Sequence, residues 1–526
     1  MQRSISIDQK NFHRLIYLLA ILKFGLPYLI QNHSYEPHRD EFLYLAEAHH
    51  LAWGYMEVPP MMSFFGYLTN LFGGSLFWIK FWPSLFGAFT YILVARLILL
   101  FEGRWFALFL GFMPFVLGYY MHVHFMLQPG FLEVFFWTLI AYGLIYYVKT
   151  NENSGLYIMG IAFGLGMLSK YSVLFFATGI LIALIITKRK DILRNKHFYY
   201  AILIGIVLFL PNIIWEWCHG FPIVYQMKQL QHQQLQYVGI TTFLTEQLLY
   251  NLPCIFIWVT GLFWLIFSPG SKPYRFIGWA VIIAIIIIVI GHGKGYYGMG
   301  AYPILFVFGA VYLEKSTTEK FTYLRYLMVV FSIVIGCILD TVSLPFLAPK
   351  QLATYYGSNT VFRKLGFLQW EDQKDHPLPQ DFADMLSWED MTAKVAKVYG
   401  GLDSSDKRKA IIDGDNYGEC AAIDYYGVRY HLAPAMGHAA TYLFWTPEDF
   451  YKKDIFILTT DDRNEAHDNG FMHQFKYAAI VDSITNPYAR EFGSYILLLK
   501  YPNPKFRMAW KKYYDSLKQE SSIFNK

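Results

Sequence analysis

Residues 277–297 read Ile-Gly-Trp-Ala-Val-Ile-Ile-Ala-Ile-Ile-Ile-Ile-Val-Ile-Gly-His-Gly-Lys-Gly-Tyr-Tyr. No charge occurs before His292, and then a glycine-rich segment with one lysine and two tyrosines begins abruptly. An apolar run of this kind is a membrane-spanning helix, because lipid offers the backbone no hydrogen-bond partner except itself. Ten further runs resemble it. The expected spans are 12–30, 76–100, 105–120, 129–148, 156–170, 172–187, 198–216, 248–267, 277–291, 299–313 and 326–340. A helical membrane bundle of about eleven spans is therefore expected over residues 1–342.

The rest of the chain has another character. Overall, 55% of the 526 residues are hydrophobic and 16% charged, against about 25% charged in soluble domains. The deficit lies before residue 343, after which Lys, Asp and Glu recur every few residues. Residues 410–412, 455–459 and 495–499 read as strands and 419–426 as a helix, so 343–526 is expected to be a soluble α/β domain. The net charge of +5 is small and scattered, which argues against nucleic acid as a partner. No GxGxxG or Walker pattern occurs, so no nucleotide site is inferred. Cys218, Cys254, Cys337 and Cys420 have no metal-type spacing and read as small buried hydrophobes without a disulfide.

Charge asymmetry orients the chain. Lys188, Arg189, Lys190, Arg194, Lys196, Arg104, Lys149, Lys272, Arg275 and Arg325 fall on one alternating set of connections, expected to be cytoplasmic with the N-terminus. The other set, and with it 343–526, is then extracytoplasmic. The first outer connection holds two amphipathic stretches, 40–53 and 61–72, parted by Pro59-Pro60 and read as helices on the membrane surface. Lys23 sits inside the first apolar run, where an unpaired charge costs about 2.5–3.5 kcal/mol, so it should face the bundle.

Candidate chemistry clusters on the outer set. Asp40 and Glu41 follow His38-Arg39, either as a helix cap with its first-turn partner or as a general base with a neighbouring acid. Glu133, early in a span, needs a wet cavity or a partner. Lys170 interrupts an apolar run and either snorkels or meets an anion. The segment 291–297, with His292, Lys294, Tyr296 and Tyr297, is either a flexible turn or a cradle for phosphate. His33, His38, His49, His50, His122 and His124 lack an HExxH or similar metal-binding spacing, so no metal is expected.

His38-Arg-Asp-Glu-Phe-Leu-Tyr-Leu-Ala46, Leu51-Ala-Trp-Gly-Tyr55 and Val58-Pro-Pro60 together resemble the first outer loop of bacterial family 39-type glycosyltransferases of the GT-C superfamily, whose relatives include protein O-mannosyltransferases and the lipid A aminoarabinose transferase. Met126-Leu-Gln-Pro129, residues 164–172, residues 291–297 with Ala301-Tyr-Pro303, and Gly414-Asp-Asn-Tyr-Gly-Glu419 with Ala422-Ile-Asp-Tyr-Tyr-Gly427 agree in the same order. The resemblance implies a GT-C bundle with an outer C-terminal domain, in a bacterial inner membrane. It implies inverting transfer of a sugar from a polyprenyl-phosphate donor to a lipid, protein or glycan acceptor. Phosphate is a good leaving group when Lys or Arg stabilises its charge, so no cofactor or metal is expected. Asp40 inherits the role of base, with Glu41 and Glu133 beside it. Arg39, Lys80, Lys170 and Lys294 become candidates for the donor phosphate, and Tyr44, Gln128, His292, Tyr296 and Tyr297 for the substrate pocket. Two positions depart from the pattern: Val58 stands where the aminoarabinose transferases commonly carry Lys, and Gln128 near where many relatives carry an acid. A transporter or flippase for a lipid-linked glycan is the competing reading, although no internal repeat is evident.

Overall fold

The computed structural model describes residues 2–318, 321–462, 466–467 and 469–525. Among these residues, seven helices are long and apolar enough to cross a membrane, or eight if the pair Ile240–Tyr250 and Leu252–Phe267, bent by 61° at its break, is one span. Trp105–Phe115, Ser154–Met167 and Val173–Ile186 are apolar but shorter. All eleven expected spans therefore fall on helices, and three of them are too short to cross on length alone.

The chain divides into two compact units. One comprises 1–31, 80–214 and 230–346; the other comprises 32–79, 215–229 and 347–526. The boundary expected at 342/343 lies close to the last of these divisions. However, residues 32–79 and 215–229 group with the C-terminal domain and not with the helical unit, a division that the linear 1–342 and 343–526 partition does not make.

In the helical unit, small residues let helices approach closely. A Cβ on Gly160 would lie 2.1 Å from the Ala201 carbonyl oxygen, and one on Gly164 would lie 2.7 Å from that of Gly205. The Ser154–Met167 and Lys196–Cys218 helices thus cross backbone to backbone, as small-xxx-small pairs do in lipid. Lys23 is buried as expected, with Nζ 3.5 Å from the Tyr120 carbonyl and 3.4 Å from Met121 Sδ.

The second unit is built on a mixed five-stranded sheet. Its strands are β1 (Ala410–Gly414), β2 (Ala435–Gly437), β3 (Ile455–Thr460), β4 (Phe475–Ser483) and β5 (Tyr495–Pro502), in the order β2-β1-β3-β5-β4. β1 runs parallel to β2 and β3, while β5 is antiparallel to β3 and β4. Successive residues point to opposite faces. Ile412, Ile455, Ile457 and Ile496 enter one core with Phe42, Trp388 and Ile423, whereas Ile411, Phe456, Leu497 and Leu499 enter another with Trp510 and Tyr514. The expected strands and helix are all present; β2 and β4 were not anticipated.

Two expectations change here. The Arg39–Glu47 helix is not a surface helix: residues 41–47 are all buried. Its apolar side is enclosed by the sheet domain, with the Phe42 ring 6.2 Å from Trp388 and 5.2 Å from Tyr425. The Met61–Leu71 helix does keep Phe64, Tyr67 and Leu71 exposed, as a surface helix would. All four cysteines are free, but only Cys254 and Cys420 are buried; Cys218 and Cys337 are exposed.

Candidate active site

Local sequence explains how Asp40 is presented. His38 caps the Arg39–Glu47 helix, with its Nδ1 accepting from the Asp40 amide at 3.1 Å, and Glu41 closes the reciprocal bond from the His38 amide at 2.8 Å. The cap is therefore His38, and Glu41 is its partner. Glu41 is fully buried and turned to the backbone, which places it in the cap and not beside Asp40 as a second reactive acid. Asp40, in the first turn, is left with its side chain 26% exposed.

A dense ionic network surrounds it. Tyr417 donates to Asp40 Oδ1 at 2.7 Å, and Arg39 Nε lies 3.6 Å from the same oxygen. The Arg39 guanidinium also sits 5.0 Å over the Tyr417 ring and 3.8 Å from Asp384. Arg39, expected to bind phosphate, is thus engaged by two acids and a ring. Arg490 reaches Asp384 at 3.3 Å, and His38 Nε2 lies 3.5 Å from Asp384 and 3.7 Å from Asp381. Burial alone would lower the His38 pKa, but Asp40, Asp381 and Asp384 outweigh it and push it up to about 10. Burial would raise Asp384, and Arg490, Arg39 and His38 together hold it below the usual carboxylate range. His38, Asp381 and Asp384 are spaced closely enough to hold a metal ion. The guanidiniums of Arg39 and Arg490 already lie against Asp384, which suits an ion-pair network better than a divalent cation. Burial, then the charge of Asp40, raises the pKa of the enclosed Tyr44 well above its ordinary value and keeps it a neutral phenol.

A second acid pair lies along the same connection. Glu47 is fully buried, and among the described residues its carboxylate faces no partner but the Glu57 carboxylate. Burial and the Glu57 carboxylate raise its pKa well above the ordinary value. Glu57 is also raised by burial, partly offset by the Thr441 hydroxyl that donates to it. One proton held between two buried acids accounts for this arrangement. Sequence reading missed the pair; the signal was Glu57 directly before Val58-Pro59-Pro60.

In the helical unit, four of the expected residues, Lys170, Glu133, Tyr296 and Tyr297, meet one another. Lys170 Nζ donates to Glu133 Oε2 at 2.6 Å, and Ser172 Oγ donates to Glu133 Oε1. The same ammonium lies 4.2 Å over the Tyr297 ring and 5.2 Å over that of Tyr296. Lys170 therefore does not snorkel, and Glu133 has the partner its burial requires. In the glycine-rich segment, the Gly295 amide donates to Glu246 at 2.9 Å and its carbonyl accepts from Gln247 at 2.7 Å. An acid already occupies that amide. His292 is exposed, at φ 53°, with Nδ1 3.2 Å from the Val238 carbonyl. Lys80 is buried, its ammonium 4.2 Å over Phe125 and 3.9 Å from Met126 Sδ. Gln128 is half-buried on the approach to the Gly130–Thr150 helix.

A family described as dolichyl-phosphate-mannose-protein mannosyltransferase matches residues 57–215. That segment contains Lys80, Gln128, Glu133 and Lys170, and it begins after Asp40. No curated protein sequence matches the chain. The structure of ArnT from Cupriavidus metallidurans bound to undecaprenyl phosphate aligns with a TM-score of 0.60, covering 93% of this chain and 98% of that one at 12% identity. The apo state of the same protein gives the same values. At that identity the likeness is one of fold, and the fold is of GT-C type: a helical membrane unit with a C-terminal sheet domain.

Proposed function

We propose that this GT-C chain transfers a sugar from a polyprenyl-phosphate donor to an acceptor outside the cytoplasm, with Asp40 as general base. The observation that carries the reading is Asp40 itself: a part-exposed carboxylate, fixed by Tyr417, at the head of the first-connection helix of such a fold. The acceptor's hydroxyl or amine gives its proton to Asp40 while its heteroatom attacks the anomeric carbon. The bond from that carbon to the phosphate oxygen breaks with inversion, and polyprenyl phosphate leaves. A solved relative of this fold carries undecaprenyl phosphate, which supports the donor class. The cations we assign to the donor phosphate are Lys170, Lys294 and Lys80; Lys170 is held by Glu133 against the rings of Tyr296 and Tyr297. Phosphate leaves readily when such charges stabilise it, so the reaction needs no metal.

The test is donor turnover by purified protein in detergent, across a panel of polyprenyl-phosphate sugars, read as polyprenyl phosphate by mass spectrometry. Wild type turns over at least one donor, and Asp40→Asn loses at least about 100-fold at unchanged melting temperature. Equal rates in the two proteins remove Asp40 from the chemistry. Failure of wild type with every donor removes the transferase assignment.

A further inference from the structure

The sheet domain reaches Asp40 through one short loop, Gly414-Asp-Asn-Tyr-Gly-Glu419. Each of its residue types has a local cause. β1 ends at Gly414, where a Cβ would lie 2.7 Å from Cys420 Sγ and 3.0 Å from the Cys420 amide, so the turn back needs glycine. Asn416 then caps the Tyr417–Gly427 helix, accepting from the Gly418 and Glu419 amides at 2.9 and 3.1 Å. A Cβ on Gly418 would come within 3.1 Å of Arg39 Cβ, so glycine there lets the helix start press against the Arg39–Glu47 helix. Tyr417 is held between these two constraints. Its hydroxyl donates to Asp40 Oδ1 at 2.7 Å, and its ring lies under the Arg39 guanidinium.

We propose that Tyr417 is a positioning residue for the Asp40 carboxylate, so that the sheet domain completes the reactive acid. The proposal rests on the reading of Asp40 as base. A phenol O–H fixed to one carboxylate oxygen sets the rotamer of Asp40 and donates to its charged form. Burial first, and then Asp40, keeps Tyr417 protonated, and Arg39 only partly opposes them. Among the described residues, the charged or titratable groups facing this pair include His38 and Arg39 at the start of the Asp40 helix, Tyr44 one turn on, and Asp384 from the segment packed against it.

The test uses the full-length protein in detergent and two readouts. The first is the acidic limb of the kcat/KM–pH profile on the donor found above. The second needs no substrate: the pH dependence of Asp40 modification by a carbodiimide, which attacks the protonated carboxyl, read by mass spectrometry. In Tyr417→Phe, which removes the hydrogen bond to the charged carboxylate, both midpoints move up, and kcat falls while KM holds. Replacing Tyr417 with 3,5-difluorotyrosine keeps the shape and strengthens the donor, so both midpoints move down. This second variant decides the matter if the phenylalanine protein folds poorly. Unmoved labelling midpoints in both variants overturn the proposal. A shifted labelling midpoint alongside an active Asp40→Asn protein upholds Tyr417's contact and discards the catalytic reading alone.

Discussion

Asp40 and Glu41 are adjacent acids with opposite fates, and the difference arises within one helical turn. Glu41 is the third residue beyond the capping His38, so its side chain folds back to the His38 amide. Asp40 points away from the cap and toward Tyr417. Glu47 and Glu57 add a second lesson at this scale. Glu47 binds its proton more tightly folded than unfolded, so the fold is favoured below its unfolded pKa and loses that advantage as pH rises from about 4.5 through the raised folded value. Glu47→Gln removes the titration while keeping the shape. The variant is expected to melt on the order of a few °C above wild type at pH 8. The gap should shrink toward pH 5, as thermal unfolding in detergent at the two pH values would show. A gap that is constant with pH would mean that Glu47 is not the titrating group.

Helix contacts in the bundle depend on missing side chains. Gly160 and Gly164 lie on one stripe of the Ser154–Met167 helix and meet Ala201 and Gly205 across the crossing. Gly160→Leu must push these backbones apart, because its Cβ alone would overlap the Ala201 carbonyl. Overpacking of this kind costs roughly 1–3 kcal/mol. The variant is expected to melt lower than wild type in detergent, while a substitution at Ile161 on the same helix, 43% exposed, leaves melting unchanged. The Gly160-x-x-x-Gly164 spacing was present in the sequence as a signal for this contact, although it could not say which helix would be met.

At the scale of the whole molecule, the first connection is a structural part of the C-terminal unit. Phe42, Leu43 and Ala46 of the Arg39–Glu47 helix share one core with Trp388, Ile412 and Ile457. A residue near the start of the chain therefore stabilises a domain that begins some 300 positions later. Phe42→Ala, at a fully buried site, is expected to cost about 3–5 kcal/mol. Hydrogen exchange should locate the loss in β1 and β3, and not in the membrane helices. Protection lost equally throughout the bundle would contradict the division into two units.

Hydrophobicity along the chain was enough to identify the membrane helices, because lipid imposes a length and an apolar composition that no other solvent demands. The alternating apolar strands and the helix after Gly414 were legible for a similar reason, since a periodicity of two or 3.6 is written locally. The acid at Asp40 stood out by its motif. The meeting of Lys170 with Glu133, the enclosure of the Arg39–Glu47 helix and the contact from Tyr417 to Asp40 were decided only by tertiary structure. These contacts join positions 37 and 377 residues apart, or bury a helix whose sequence reads as amphipathic, and no local pattern encodes which distant surface will supply the partner.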